Sequence, residues 1–225
     1  MGPTYAPRVK ICCISTVEEA ALAIESGASA LGLVSAMPSG PGVIQEDQIA
    51  EIPATVPPPI ATFLLTSKQN VEEIVAQQRH CRTNCLQLCD CLTSGAHADL
   101  RRALPGIKIV QVIHVTGPES VVEAAAVAPS VDAILLDSGN PALAVKELGG
   151  TGRSHDWHLS RQIREQVNIP IFLAGGLSAS NVGQAMNAVA PFGLDLCSGV
   201  RTNGRLDPQK LHAFFDAVHS AAATA

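Results

Sequence analysis

The sequence has no excess of positive charge. Lys and Arg together number 15 against 20 Asp and Glu in 225 residues, a formal net charge of −5. With no basic face to meet a phosphate backbone, nucleic acid is excluded as an expected partner. It also lacks long apolar runs. Ile60–Leu65 and Ile134–Leu136 are short and broken by polar residues, far below the ~20 residues that span a bilayer. Met1–Lys10 lacks a charged segment followed by an apolar one, so no secretory signal is expected and the protein reads as cytoplasmic, with no membrane partner. No Pro/Ser-rich or charged linker divides the chain, and Val56–Pro59 is too short to serve as one. Neither a P-loop nor a Ser/His/Asp elbow occurs, and no His/Asp/Glu set has metal-ligand spacing.

What is present is apolar: 47% hydrophobic against 16% charged residues, enough for a sizeable core and incompatible with a disordered chain. Seven cysteines are unevenly placed, with Cys81, Cys85, Cys89 and Cys91 crowded together and Cys12, Cys13 and Cys197 apart. Without a secretory signal they read as reduced thiols. Zinc sites pair ligands at two separated places, whereas the crowded four share one stretch and read as small buried residues on a strand.

Gly and Pro punctuate a regular alternation. Strand patterns cover Arg8–Cys13, Ala30–Ser35, Ile60–Thr66, Asn84–Cys89, Lys108–Val115, Val131–Leu136, Pro170–Ala174 and Gly193–Cys197. Helical patterns cover Val17–Ser26, Gln45–Glu51, Asn70–His80, Ala96–Leu104, Pro118–Ala128, Asp156–Val167, Ser178–Val189 and Asp207–Ala221, and the Ala221–Ala225 tail is expected to fray. Thr16, Ser178 and Asp207 are expected N-caps, with Pro208 at a first helical position and Gly27 ending the first helix. Crossovers long enough for a helix make the strands parallel. A doubly wound open sheet accepts the same pattern, but eight repeats without a linker favour one closed (β/α)8 barrel domain over residues 1–225.

In such a barrel the chemistry sits at the C-terminal strand ends. That filter selects Cys12 at the end of the first strand, Gln87 at the fourth, His114 at the fifth and Asp137 at the sixth. Cys12 and Asp137 could face each other across a substrate as a base and an acid. Leu173-Ala174-Gly175-Gly176-Leu177 and Cys197-Ser198-Gly199-Val200 follow the last two strands, where phosphate is recurrently bound by backbone N–H groups and helix dipoles. The plain alternative is that these glycines only make tight turns. Gly149-Gly150-Thr151-Gly152 lies in a connection running from Ser138 to His155, long enough to read as a flap over the site.

These pieces resemble the phosphoribosylanthranilate isomerase family of tryptophan biosynthesis. The likeness is carried by Lys10-Ile11-Cys12, Leu135-Leu136-Asp137-Ser138, Gly149-Gly150-Thr151-Gly152 with Asp156-Trp157, Leu173 to Leu177, Ser198-Gly199-Val200 and Asp207-Pro208-Gln209-Lys210. It implies a (β/α)8 barrel and an aldose–ketose isomerase. The reaction is the Amadori rearrangement of N-(5-phosphoribosyl)anthranilate, run without metal or organic cofactor on a phosphorylated small molecule. By position, Asp137 would be the acid that protonates the furanose oxygen and Cys12 the base that takes the C2′ proton. Gly175, Gly176, Leu177, Ser198, Gly199, Gly150, Gly152, Lys10, Gln87 and His114 would surround substrate and phosphate. Cys12 would have to be partly thiolate, and Asp137 would have to keep a proton near neutrality.

The departures concentrate at one end. Cys13 stands where the family usually has Gly, and Pro41, in Ser39-Gly40-Pro41-Gly42, stands where an Arg is expected to hold the anthranilate carboxylate. The strand-four His-Gly becomes Cys89-Asp90, the strand-five Arg becomes His114, and Arg201 replaces a Glu. Arg153, His114 or Arg201 would have to take over the carboxylate. Otherwise the chain is a paralogue acting on another phosphorylated sugar or amine, or a silent barrel that binds a phosphorylated metabolite. The single Trp157, flanked by His155 and His158, reads as packed. His80, His97, His212 and His219 read as surface or satisfied residues, and oligomeric state is not legible.

Overall fold

The computed structural model describes residues 6–223; Met1 to Tyr5, Thr224 and Ala225 lie outside the described residues. Eight parallel strands close into a barrel in sequence order: β1 Arg8–Ile11, β2 Ala30–Val34, β3 Ala61–Thr66, β4 Cys85–Leu88, β5 Lys108–His114, β6 Ala133–Asp137, β7 Ile171–Leu173 and β8 Gly193–Leu196. Each is followed by its helix: α1 Val17–Glu25, α2 Glu46–Glu51, α3 Val71–Cys81, α4 His97–Ala103, α5 Glu119–Val127, α6 Trp157–Gln166, α7 Val182–Val189 and α8 Pro208–Ala223. The closed barrel, rather than the open sheet, is the fold: β1 pairs with β8, Arg8 opposite Gly193 through Ile11 opposite Leu196.

Residues alternate across each strand, and the alternation builds two cores. Val9, Ile11, Leu31, Leu33, Leu86, Ile134 and Leu194 pack outward under the helices. Ala30, Phe63, Leu65, Cys85, Cys89, Val110, Val112, Leu135 and Phe172 fill the barrel. Cys85 and Cys89 are thus barrel filling, while Cys81 ends α3 and Cys91 is exposed in a loop.

The caps at Thr16 and Asp207 form as expected. Thr16 Oγ1 accepts from Glu19 N at 3.2 Å, and Asp207 Oδ1 from Gln209 N at 3.0 Å. Ser178 does not cap α7, which starts at Val182 after Asn181. Asn181 instead folds back, its Oδ1 accepting from Ser178 N at 2.9 Å and its Nδ2 donating to Gly176 O at 2.9 Å. Of the tail expected to fray, α8 takes in Ala221 to Ala223, with Phe214 and Phe215 on its inner face, and Thr224 and Ala225 lie outside the described residues. Among the described residues no helix is long and apolar enough to cross a membrane.

Candidate active site

The C-terminal strand ends open into a cavity of about 720 Å³, part of it open to solvent. One end is glycine-rich, formed by Gly175, Gly176, Leu177, Ser198 and Gly152; the other is apolar, formed by Val34, Met37, Leu65 and Leu148. Cys12, Asp137 and Gln87 lie on the walls between them. Three of the expected residues stand back from the cavity wall. Lys10 lies one layer deeper in the barrel, and His114 turns its Nε2 to the Cys89 carbonyl at 3.1 Å. Gly199 backs the phosphate-type loop instead of facing the cavity: a methyl group on it would lie 2.0 Å from the Leu177 carbonyl oxygen.

Cys12 follows β1 on the inward side, the side of Lys10. A methyl group on Gly32 would lie 2.9 Å from Cys12 Sγ and 3.0 Å from Lys10 Nζ, so sulfur and ammonium converge over that glycine. Lys10 is fully buried; its Nζ donates to Asp195 Oδ1 at 2.9 Å and lies 5.2 Å from the centroid of the Phe63 ring. Burial alone would neutralise it, but the charge of Asp195, and of Cys12 when ionised, outweighs that and raises its pKa. Asp195 was not picked out from the sequence, although a buried mid-strand Lys requires a buried partner and Asp195 is its register neighbour.

Asp137 ends β6, three strands from β1 by the shorter way round, so it flanks Cys12 rather than facing it diametrically. Its Oδ1 accepts from Ser138 N at 2.7 Å, and its Oδ2 points toward Gly149, where an added methyl would lie 2.8 Å away. Burial pushes its pKa up, against the opposing pulls of the Ser138 N–H and of His114. The carboxyl therefore holds its proton to a higher pH than an exposed Asp.

The connection between β6 and α6 lies over the mouth. Ser39 Oγ donates to Lys146 O at 2.7 Å, a methyl on Gly150 would meet Pro41 Cδ at 2.5 Å, and Thr151 Oγ1 is 2.6 Å from Ser138 Oγ. Gly176, at φ 62, is covered closely by the backbone from Gly152 to Ser154. Burial lowers the pKa of nearby His155 to about 4, and it shares a 2.6 Å contact with Ser160 Oγ.

The model of the N-(5'phosphoribosyl)anthranilate (PRA) isomerase family matches residues 9–217. The chain belongs to that family. N-(5'-phosphoribosyl)anthranilate isomerase 2 of Methanosarcina mazei is 36% identical over 209 residues, 92% of either chain. The isomerase of Methanocella arvoryzae is 34% identical, over 88% of this chain and 91% of that one. Among solved structures, phosphoribosyl anthranilate isomerase from Thermotoga maritima superposes with a TM-score of 0.79 at 27% identity, covering 95% of this chain and 99% of the other. Another phosphoribosyl anthranilate isomerase, in complex with reduced 1-(o-carboxyphenylamino)-1-deoxyribulose 5-phosphate, gives 0.76 at 25% identity over 95% and 99%.

The residues read from the sequence as departures have defined places. Cys13 adopts φ 63, a left-handed conformation natural to glycine. Its thiol lies against Cys12 and Cys197, and those contacts together with burial hold it in the protonated form. Arg201 turns away from the cavity, pairing with Glu19 at 2.8 Å and donating to the Cys12 and Cys13 carbonyls at 3.3 and 2.6 Å. Arg153 pairs with Glu147 inside the flap. Neither of them, nor His114, lines the cavity as the carboxylate partner expected from the sequence. Asn203 and Gly204 turn a small hairpin between Arg201–Thr202 and Arg205–Leu206; Asn-Gly is a strong hairpin signal, and the sequence reading passed over it.

Proposed function

We propose that this chain catalyses the family reaction, the Amadori rearrangement of N-(5-phosphoribosyl)anthranilate to the carboxyphenylamino-deoxyribulose phosphate. The observation that carries it is the placement of Cys12 and Asp137 on the wall of one cavity, between a glycine-rich end and an apolar end. The phosphate sits at the Gly175–Leu177 and Ser198–Gly199 loops, where backbone N–H groups favour an anion. The aromatic ring lies along Val34, Met37, Leu65 and Leu148.

Asp137 gives its proton to the furanose ring oxygen and the ring opens to a Schiff base. Its raised pKa, caused by burial, keeps that proton available. Cys12 as thiolate then removes the proton from C2′, and the resulting enolamine ketonises. The Lys10 ammonium is the positive charge beside that sulfur, and Asp195 fixes its position. Gln87 Oε1 is buried and has no partner within the protein, so it offers a substrate N–H or O–H an acceptor. The whole chain, residues 1–225, acts as one domain, and its place in a biosynthetic pathway puts it in the cytoplasm.

The test is turnover of phosphoribosylanthranilate generated in situ, followed by its fluorescence. Wild type turns over; Cys12→Ala and Asp137→Asn each lose turnover while retaining affinity for a reduced product analogue. Folded wild type without turnover overturns the reading.

A further inference from the structure

The proposed substrate carries two anionic ends, and the apolar end of the cavity has nothing to neutralise the second. Among the described residues that line the cavity there is no Lys, Arg or His, while Asp137 and Asp195 both line it. Arg201 is tied to Glu19, Arg153 to Glu147, and His114 to the Cys89 carbonyl. An aromatic carboxylate brought to Val34 and Leu65 would be buried unpaired, at a cost of several kcal/mol by the general rule.

Lys146 stands beside that rim. Lys146 lies on the β6–α6 connection, two residues before the lining residue Leu148, and its carbonyl accepts from Ser39 Oγ, another lining residue, at 2.7 Å. Its side chain reaches the segment after β4 and donates to Asp90 Oδ2, next to the lining residue Cys89. Lys146 thus spans the apolar end from the Ser39–Pro41 loop to the end of β4. Asp90 is buried and is itself held by Cys91 N at 2.9 Å, whereas the Lys146 side chain keeps 38% of its surface. An ammonium has three N–H donors, and Asp90 takes one.

We infer that Lys146 is the specificity-determining cation of this enzyme: it binds the carboxylate of the substrate's arylamine in place of the Arg lost at Pro41, and Asp90 aims it. This rests on the function proposed above. It also explains how Asp90 can stand beside an anionic substrate, since its charge is already committed to the lysine.

The experiment measures Kd for two reduced product analogues, one with the ring carboxylate and one without, on wild type, Lys146→Gln and Lys146→Arg. Wild type prefers the carboxylate analogue. Lys146→Gln loses ~10-fold or more in affinity for it, the scale of a charged hydrogen bond, while its affinity for the other analogue stays within about twofold. Lys146→Arg keeps the preference. Equal losses for both analogues would mean that Lys146 only latches the connection, and would overturn the inference; so would an undiminished preference in Lys146→Gln. Wild type that binds neither analogue overturns the proposed function itself, and the inference with it.

Discussion

Arg201 donates through Nη2 to the carbonyl of Cys13 at 2.6 Å. Two residues read from the sequence as departures therefore touch each other. Cys13 occupies a left-handed conformation that costs a side-chain-bearing residue roughly 1–2 kcal/mol, and Arg201 grips the peptide on its C-terminal side. Glu19 completes the clamp by accepting from Arg201, Ser15 and Leu206. Arg201→Ala leaves Glu19 without its cation and the turn unheld. Its expected cost is about 2–4 kcal/mol, read by urea denaturation, with a fall in kcat larger than any rise in KM because the turn carries Cys12.

The same turn is packed from the other side by Gly42. A methyl group there would lie 2.4 Å from Cys13 Cβ and 2.9 Å from its Sγ, so bulk at position 13 is accommodated by its absence at position 42. Gly42→Ala should destabilise by more than about 2 kcal/mol, since neither backbone can yield freely. In a Cys13→Gly background the clash with Cβ and Sγ disappears, leaving the 3.0 Å approach to the residue-13 Cα and the strain of φ 79 at residue 42. A double-mutant cycle should return a coupling of at least about 1 kcal/mol; additive effects would show that the two positions do not share space.

Asp137 links activity to stability through pH. Burial raises its folded pKa above the unfolded value near 3.9. A raised carboxyl contributes stability that is complete below the unfolded pKa and is lost as pH rises through the folded one. Asp137→Asn carries no ionisable group and keeps an oxygen for the Ser138 N–H. It should therefore be inactive yet more stable than wild type at pH 7. The gap in thermal midpoint should shrink as pH falls toward 4, and a constant gap across that range would show that desolvation is not the cause.

The alternation of elements was legible because each strand stores its two faces in adjacent residues and each helix its caps. Boundaries slipped where inward residues run past the hydrogen-bonded ladder: Cys12, Cys89 and Cys197 read as strand but follow β1, β4 and β8. The place of Cys12 and Asp137 on the cavity wall was legible because strand ends open into the mouth of a barrel. The fates of His114, Arg153 and Arg201 were not, because a side chain at a strand end or on a loop can turn toward the cavity, a neighbouring strand or a helix. Only the partners, Cys89 O, Glu147 and Glu19, decide among these. Ser178 failed as a cap for a similar reason, since its Oγ pairs with Ser180 Oγ at 2.9 Å and α7 starts only at Val182.

The Lys10–Asp195 pair tests whether charge beneath the site serves chemistry or the fold. Both groups are buried, and β1 and β8 place them in register. Buried ion pairs add little net stability over apolar replacements, but breaking one by removing a single partner costs about 3–5 kcal/mol. Lys10→Met should fall in that range, because Asp195 is left without its ammonium. Adding Asp195→Leu should recover most of the loss, since the Phe63 ring and the neighbouring barrel residues accept an apolar pair. Turnover should not recover with it. If the double variant regains both stability and wild-type kcat, the ammonium beside Cys12 is only a structural plug. Recovery of stability alone, with kcat still depressed by about tenfold or more, assigns Lys10 to the reaction.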